Sequence, residues 1–226
     1  DGTLEAVFKL TDAGADVAPH LSFGGDTPDK ISGLLDQYRA KGIKRLVALR
    51  GDRQSGVSAS LAYAAELVAF VREKHGPWFD IEVAAYPELH PESPTLESEL
   101  QHFKAKVDAG ANGAITQYFY ASDAYFRFRD ECLAKGIDIP INPGVMPITN
   151  LVGIKRFSAI CGADIPRWIL RRLESLEDDS DSLKAFGEEV VTSLCEQLIQ
   201  GGVPGLHFYT LNQSKPTLRL CKNLGY

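Results

Sequence analysis

One unit recurs six times along this chain: a helical stretch, a glycine, a short gap, an apolar run and a polar tip. Gly14 precedes Val17-Ala18-Pro19-His20, and Gly42 precedes the run Leu46 to Leu49, which ends in Arg50-Gly51-Asp52. Gly76 precedes Ile81 to Tyr86, and Gly110 precedes Ala114-Ile115-Thr116-Gln117. Gly136 precedes Ile139-Pro140-Ile141-Asn142, and Gly202 precedes Leu206-His207-Phe208-Tyr209. A glycine just past a helix adopts the left-handed conformation that closes the last carbonyls. Repeated before apolar runs, it marks alternating helices and strands, and therefore a parallel sheet.

The intervening helices are legible as stripes. Thr27-Pro28-Asp29 reads as an N-cap, a first-turn proline and an acid, followed by Ile31, Leu34, Leu35 and Tyr38. Leu61, Ala64, Ala65, Val68 and Val71 form the next stripe. Thr95 is positioned to cap a helix carrying Leu96, Leu100, Phe103 and Val107, and Ser122 one carrying Tyr125, Phe128, Arg129 and Cys132. The fifth gap holds three helical stretches, about 151–161, 166–176 and 182–200. The acidic run Glu177 to Asp181 before the last reads as a solvated loop. Ser214 to Leu224 reads as a final helix.

Six strand–helix units fit an open doubly wound sheet or a (β/α)8 TIM barrel. No strand is followed by G-x-G-x-x-G or a P-loop, and polar tips end nearly every strand, which favours the barrel. A barrel needs eight strands and about 250 residues. This chain has 226, and Asp1 to Ala13 resembles the rear of a helix. The expectation is one barrel domain over 1–226 with its N-terminal strand–helix units missing.

A net charge of -6 without a basic cluster argues against nucleic acid. No apolar run approaches the ~20 residues of a membrane span, and no signal segment opens the chain. Cys132, Cys161, Cys195 and Cys221 are widely spaced and read as reduced thiols, with the cytoplasm as default compartment. Amphipathic helices on a barrel exterior leave faces for a second copy, and a homo-oligomer is expected.

In a barrel the strand tips converge on one rim: His20; Arg50, Gly51 and Asp52; Tyr86, Glu88 and His90; Gln117; Asn142; His207 and Tyr209. Each alone is compatible with a structural role; together they read as a polar ligand site. No His-x-His pair supports a metal, no G-x-S-x-G elbow supports a triad, and no strand carries a lysine for covalent chemistry.

These tips sit inside longer motifs. Ala18-Pro19-His20-Leu21, Val47-Ala48-Leu49-Arg50-Gly51-Asp52 and Val83-Ala84-Ala85-Tyr86-Pro87-Glu88-x-His90-Pro91 resemble the methylenetetrahydrofolate reductase family. So do Lys106-Val107-Asp108-Ala109-Gly110-Ala111-Asn112, Thr116-Gln117, Pro143 to Ile148, and His207 to Asn212. They run in family order from residue 18 to about 212.

The resemblance implies a (β/α)8 flavoprotein that passes hydride from NADH or NADPH to FAD and then to 5,10-methylenetetrahydrofolate, by ping-pong kinetics. It implies FAD contacts at His20, Arg50, Gly51, Asp52, Tyr63, Ala64, Tyr86, His90 and Lys106, with outer contacts at Glu99 and His102. Ala105 stands where the family offers a polar group. Arg50 and Lys106 suit pyrophosphate oxygens, and the tyrosines offer flat faces with a hydroxyl. Asp52 and Gln117 are the implied catalytic pair, Asp52 accepting from pterin N–H groups and Gln117 orienting the substrate. Phe157 is implied to stack on the substrate, and Gln213 stands where the family often has an arginine for the folate's glutamate. The proton-donating glutamate is implied on a strand upstream of Asp1. Two other readings of the same residues are a folate- or flavin-binding barrel without turnover and a pterin-binding methyltransferase-type barrel.

Overall fold

The computed structural model describes residues 2–23, 26–50 and 63–226. Its elements are α1 (Gly2–Asp12), β1 (His20–Ser22), α2 (Pro28–Ala40), β2 (Arg45–Leu49), α3 (Ala64–His75), β3 (Asp80–Ala85), α4 (Leu96–Asp108) and β4 (Gly113–Tyr118). There follow α5 (Ser122–Ala134), β5 (Ile141–Val145), α6 (Leu151–Cys161), α7 (Arg167–Glu174), α8 (Ser180–Gln200), β6 (His207–Phe208) and α9 (Ser214–Asn223). The six strands belong to one sheet in chain order, β1 to β6. The registered pairs β1–β2, β2–β3 and β5–β6 are parallel. Among the described residues the strand order does not reverse, so these strands show no switch point of a doubly wound fold.

All six of the glycines that precede strands have positive φ, from +56° at Gly76 to +112° at Gly110. The helix-to-strand joints therefore turn where the repeat placed them.

Packing divides the chain into two units, Asp1–Ala84 with Gln101–Ala114, and Ala85–Leu100 with Ile115–Tyr226. In the first, Thr27 caps α2 through the Lys30 N–H at 3.3 Å, with Pro28 in the first turn. Leu46 and Ala48 of β2 are buried on one face, with Ile81 and Val83 of β3 level with them in the register. Leu35, Leu67, Val68, Val71 and Phe103 complete that apolar layer. The Arg72 guanidinium fastens the α3–β3 and α4–β4 joints, donating to the carbonyl oxygens of Gly76, Phe79 and Gly110.

In the second unit α5 turns Tyr125, Phe128 and Cys132 inward, and the Tyr125 hydroxyl donates to the Ile141 carbonyl at 2.7 Å. Leu183, Val190, Leu194 and Leu198 form the buried stripe of α8, while Phe186 is half-buried and meets the Trp168 ring edge-on. Among the described residues no helix is long and apolar enough to cross a membrane.

Four local expectations are corrected. β1 begins at His20 and β5 at Ile141, so His20 and Asn142 stand near the starts of their strands rather than at their ends. The reason is the preceding Pro19 and Pro140, which have no N–H to give the ladder. Ala121 is the N-cap of α5, and Ser122, its first residue, donates instead to Gln197 Oε1 at 2.6 Å. The acidic run enters α8, because Asp179 caps it by accepting the Ser182 N–H at 3.0 Å.

Candidate functional site

In the first unit the functional groups lie on β1, β2 and the helices behind them. The register sets His20 level with Val47, and Val47 level with Glu82, so the three side chains share one face of the sheet. Arg45 lies on that face too, paired with Glu82 and with Asp16 at 3.1 Å each. Burial lowers the His20 pKa and the Glu82 carboxylate partly offsets it, which favours a neutral imidazole that can donate and accept. Arg50 follows β2 directly, past the carboxyl end of the strand, as the sequence places it. Gly51 and Asp52 lie outside the described residues.

Tyr63 is the N-cap of α3, exposed, with its backbone N–H held by the Glu66 carboxylate at 2.9 Å; Ala64 opens the helix. On α4, His102 is exposed and Lys106 is half-buried. The Lys106 ammonium reaches back to the Ala84 carbonyl at 2.6 Å, which pins a cation at the carboxyl end of β3.

The second unit gathers more. The tight turn after β3 presents Tyr86 and His90 as an edge-to-face pair with centroids 4.6 Å apart. His90 Nδ1 accepts the Glu92 N–H at 3.0 Å. Glu99 is buried and accepts from the Ser93 hydroxyl at 2.6 Å, so it braces this turn. Glu88, between the two aromatics, is half-buried with a pKa raised to about 7. Burial is the main cause, opposed by the Asp164 N–H, with smaller contributions from the Asp164 carboxylate (upward) and Arg127 (downward).

Gln117, half-buried next to the end of β4, turns its Oε1 onto the Tyr118 N–H at 3.0 Å. Asn142 is half-buried on β5, two residues before the Gly144 that pairs with His207. His207 and Tyr209 meet edge-to-face at 4.9 Å. Burial, with the Tyr86 hydroxyl and the Cys161 thiol adding to it, holds Tyr209 protonated far above its ordinary range. Phe157 is half-buried on α6, and Gln213 is the exposed N-cap of α9, after Leu211 and Asn212 at positive φ.

Sequence reasoning missed several members of this cluster. Thr116 is fully buried; its hydroxyl accepts the Gly144 N–H at 2.8 Å and its carbonyl accepts the Tyr209 hydroxyl at 2.9 Å. Tyr118 and Ser158 share a hydroxyl–hydroxyl bond at 3.2 Å. The alternation Thr116, Tyr118 in β4 and the Phe157, Ser158, Cys161 grouping on α6 were the available signals.

The second unit thus presents flat π faces, protonated hydroxyls and two imidazoles, a set that suits a planar heteroaromatic ligand. The first, taken by itself, presents a neutral imidazole and a pinned ammonium, the latter suited to an anionic group.

A parallel α/β sheet carrying these groups is the frame of an enzyme acting on a small molecule. The sequence profile of the family described as Methylenetetrahydrofolate reductase matches residues 2–225. The chain belongs to that family of oxidoreductases. It is 40% identical over 212 residues to the 5,10-methylenetetrahydrofolate reductase of Escherichia coli (strain K12), covering 94% of this chain and 71% of that protein. It is 35% identical over 241 residues to Methylenetetrahydrofolate reductase (NADH) 1 of Arabidopsis thaliana, covering 100% of this chain and 41% of that one. Among solved structures it is similar to a protein from Clostridium thermocellum described as binding two copies of 5-methyl-5,6,7,8-tetrahydrofolic acid, with a TM-score of 0.58. That likeness, at 18% identity over 90% of this chain and 70% of the other, speaks to the fold.

Proposed function

We propose that this protein reduces 5,10-methylenetetrahydrofolate to 5-methyltetrahydrofolate, using FAD and either NADH or NADPH in a ping-pong cycle, from a single (β/α)8 barrel domain. The observation that carries the reading is the clustering in the second unit, where Tyr86, His90 and Tyr209 offer aromatic faces and hydrogen-bonding edges beside family motifs spanning the chain. When bound, FAD supplies a carrier that takes hydride from the nicotinamide and gives it to the folate's one-carbon unit.

The chain's own residues bind and orient. His20, Arg50, Gly51, Asp52, Tyr63, Ala64, Tyr86, His90 and Lys106 are assigned to FAD, with Glu99 supporting the His90 turn through Ser93. Lys106 and Arg50 provide positive charge for the pyrophosphate, and Gly51 permits close backbone approach. A neutral His20 can bond to an uncharged ring edge without adding a charge. Asp52 accepts hydrogen bonds from the pterin, and its negative charge disfavours a build-up of anionic character beside it. Gln117 orients whichever substrate is bound, Phe157 stacks on it, and Gln213 can hydrogen-bond the glutamate tail without neutralising it.

The test is the visible spectrum of the purified protein followed by the two half-reactions measured separately. Bound FAD, oxidation of NADH or NADPH without folate, and methylenetetrahydrofolate turnover together support the reading. A colourless protein that FAD cannot reconstitute but that binds folate would favour a pterin-binding barrel, and a flavin-bound protein inert to both substrates a binding protein.

A further inference from the structure

The turn that carries Tyr86 and His90 is tied to a distant part of the second unit by one carboxyl group. Glu88 Oε2 accepts the Asp164 N–H at 2.9 Å, bridging 76 residues of sequence. Asp164 lies two residues after Gly162, the left-handed residue that ends α6. Gly162 packs directly on the same turn: a Cβ there would stand 3.1 Å from Pro91 Cγ and 3.2 Å from the Leu89 carbonyl oxygen. Leu89, between Glu88 and His90, has a φ of +82°, a conformation a side chain adopts only when its surroundings enforce it. The turn closes on itself through the Leu89 N–H to Tyr86 carbonyl bond at 3.4 Å and the Ser93 N–H to His90 carbonyl bond at 2.8 Å. Neither of these bonds fixes the turn to the rest of the unit; the Glu99–Ser93 bond holds its far end to α4, and the Glu88 carboxyl holds its middle to the end of α6.

We propose that Glu88 is a positioning residue: by accepting the Asp164 N–H it docks the 86–93 turn on the C-terminal end of α6 and fixes the Tyr86–His90 pair. The consequence for cofactor binding rests on the assignment of that pair to FAD; the docking itself does not. The charged neighbours of Glu88 are the Asp164 carboxylate, which repels it, and Arg127 of α5, which attracts it; the Tyr118 hydroxyl of β4 is close enough to feel its charge. Docking half-buries the carboxyl, so a docked Glu88 holds its proton to about pH 7, whereas a solvated one releases it near the ordinary carboxyl value of 4.5. Protonation therefore favours the docked turn, and raising the pH through 7 loosens it.

The experiment is hydrogen–deuterium exchange of the peptide covering 86–93, with and without added FAD, in wild type, Glu88→Gln and Glu88→Ala. In wild type, protection should fall between pH 6 and pH 8 after correction for intrinsic exchange. Glu88→Gln, neutral and still an acceptor, should keep the pH 6 protection across the range. Glu88→Ala should lose about tenfold in protection at both values, the scale of one hydrogen bond to a half-buried carboxyl, and bind FAD more weakly by a similar factor. A general loss of stability would not be rescued by glutamine or follow pH in this way. If Glu88→Ala fails to fold, the presence or absence of the pH step in wild type against Glu88→Gln decides alone. Exchange at 86–93 that is identical in wild type and Glu88→Gln at both pH values would overturn the proposal. Exchange that responds while FAD affinity does not would uphold the docking and overturn the assignment of the pair to FAD.

Discussion

The Tyr209 hydroxyl donates to the Thr116 carbonyl at 2.9 Å, joining the residue after β6 to β4 across the intervening β5. The bond passes over Gly144, where a Cβ would lie 2.2 Å from that same carbonyl oxygen and 2.6 Å from the Tyr209 ring. A side chain on Gly144 and the Tyr209–Thr116 bond cannot coexist without movement of backbone. Gly144→Ala is therefore expected to cost about 1–3 kcal/mol as an overpacking substitution. Tyr209→Phe removes only the hydroxyl and should cost about 1 kcal/mol. Urea denaturation of both variants and the double variant checks this, because the two changes share a contact and should not add.

Arg72 serves main chain rather than another side-chain charge in most of its contacts. It donates to Gly110 at 2.9 and 2.7 Å, to Gly76 at 3.0 Å and to Phe79 at 2.7 Å. Arg72→Ala would strip these carbonyls together and is expected to lower unfolding stability by about 1.5–3 kcal/mol, the scale of hydrogen bonds to a charged group in a half-buried setting. Arg72→Lys keeps the charge but not the planar fork, so it should recover only a minor part. The denaturation midpoint of each variant tests the difference.

His75 is buried at the end of α3, and among the described residues neither ring nitrogen has a hydrogen-bond partner. Burial lowers its pKa below 6.5, partly offset by Asp36, while Arg39 lowers it further. The unfolded chain thus takes up the proton first as pH falls. The stability associated with neutral His75 is complete above the unfolded value and is lost as pH drops below 6.5. His75→Leu should flatten the stability profile between pH 7 and pH 5, measured by urea denaturation at half-unit steps.

Glu88 works in the opposite direction. Its folded pKa of about 7 lies above the ordinary carboxyl value of 4.5, so the folded state holds the proton longer. The associated stability is present below pH 4.5 and disappears as pH rises through 7. Glu88→Gln should therefore gain melting temperature relative to wild type at pH 8 and little at pH 5.

The recurring glycine before each strand was legible because a positive φ is a local requirement, and all six positions meet it. The stripes of α2 and α5 were legible for the same reason, as each repeats within a few turns. His20 and Asn142 were misplaced by prolines, which delay a ladder without disturbing the apolar pattern that announces it. Thr116, Tyr118 and Ser158 were missed because their partners are 28, 93 or 40 residues away and leave no periodic trace. Tyr86, His90 and Tyr209 were singled out in the sequence by motif and strand-tip position together. Their aromatic pairing and the Glu88 tether required coordinates.

Asp52 lies outside the described residues. In sequence it follows Arg50 and Gly51 after β2, and the proposed function gives its carboxylate a place in the ligand site because charge is costly in a core. A carboxylate that accepts from the pterin's N–H groups acts on the folate half-reaction and has no comparable partner on the nicotinamide. Asp52→Asn keeps the size and one acceptor oxygen but loses the charge. Losing a charged hydrogen bond of about 1.5–3 kcal/mol corresponds to roughly a 10- to 150-fold slower folate half-reaction, with oxidation of NADH or NADPH changed much less. Stopped-flow measurement of each half-reaction separates the two effects. Equal slowing of both would remove Asp52 from folate recognition and leave it a general support of the cofactor.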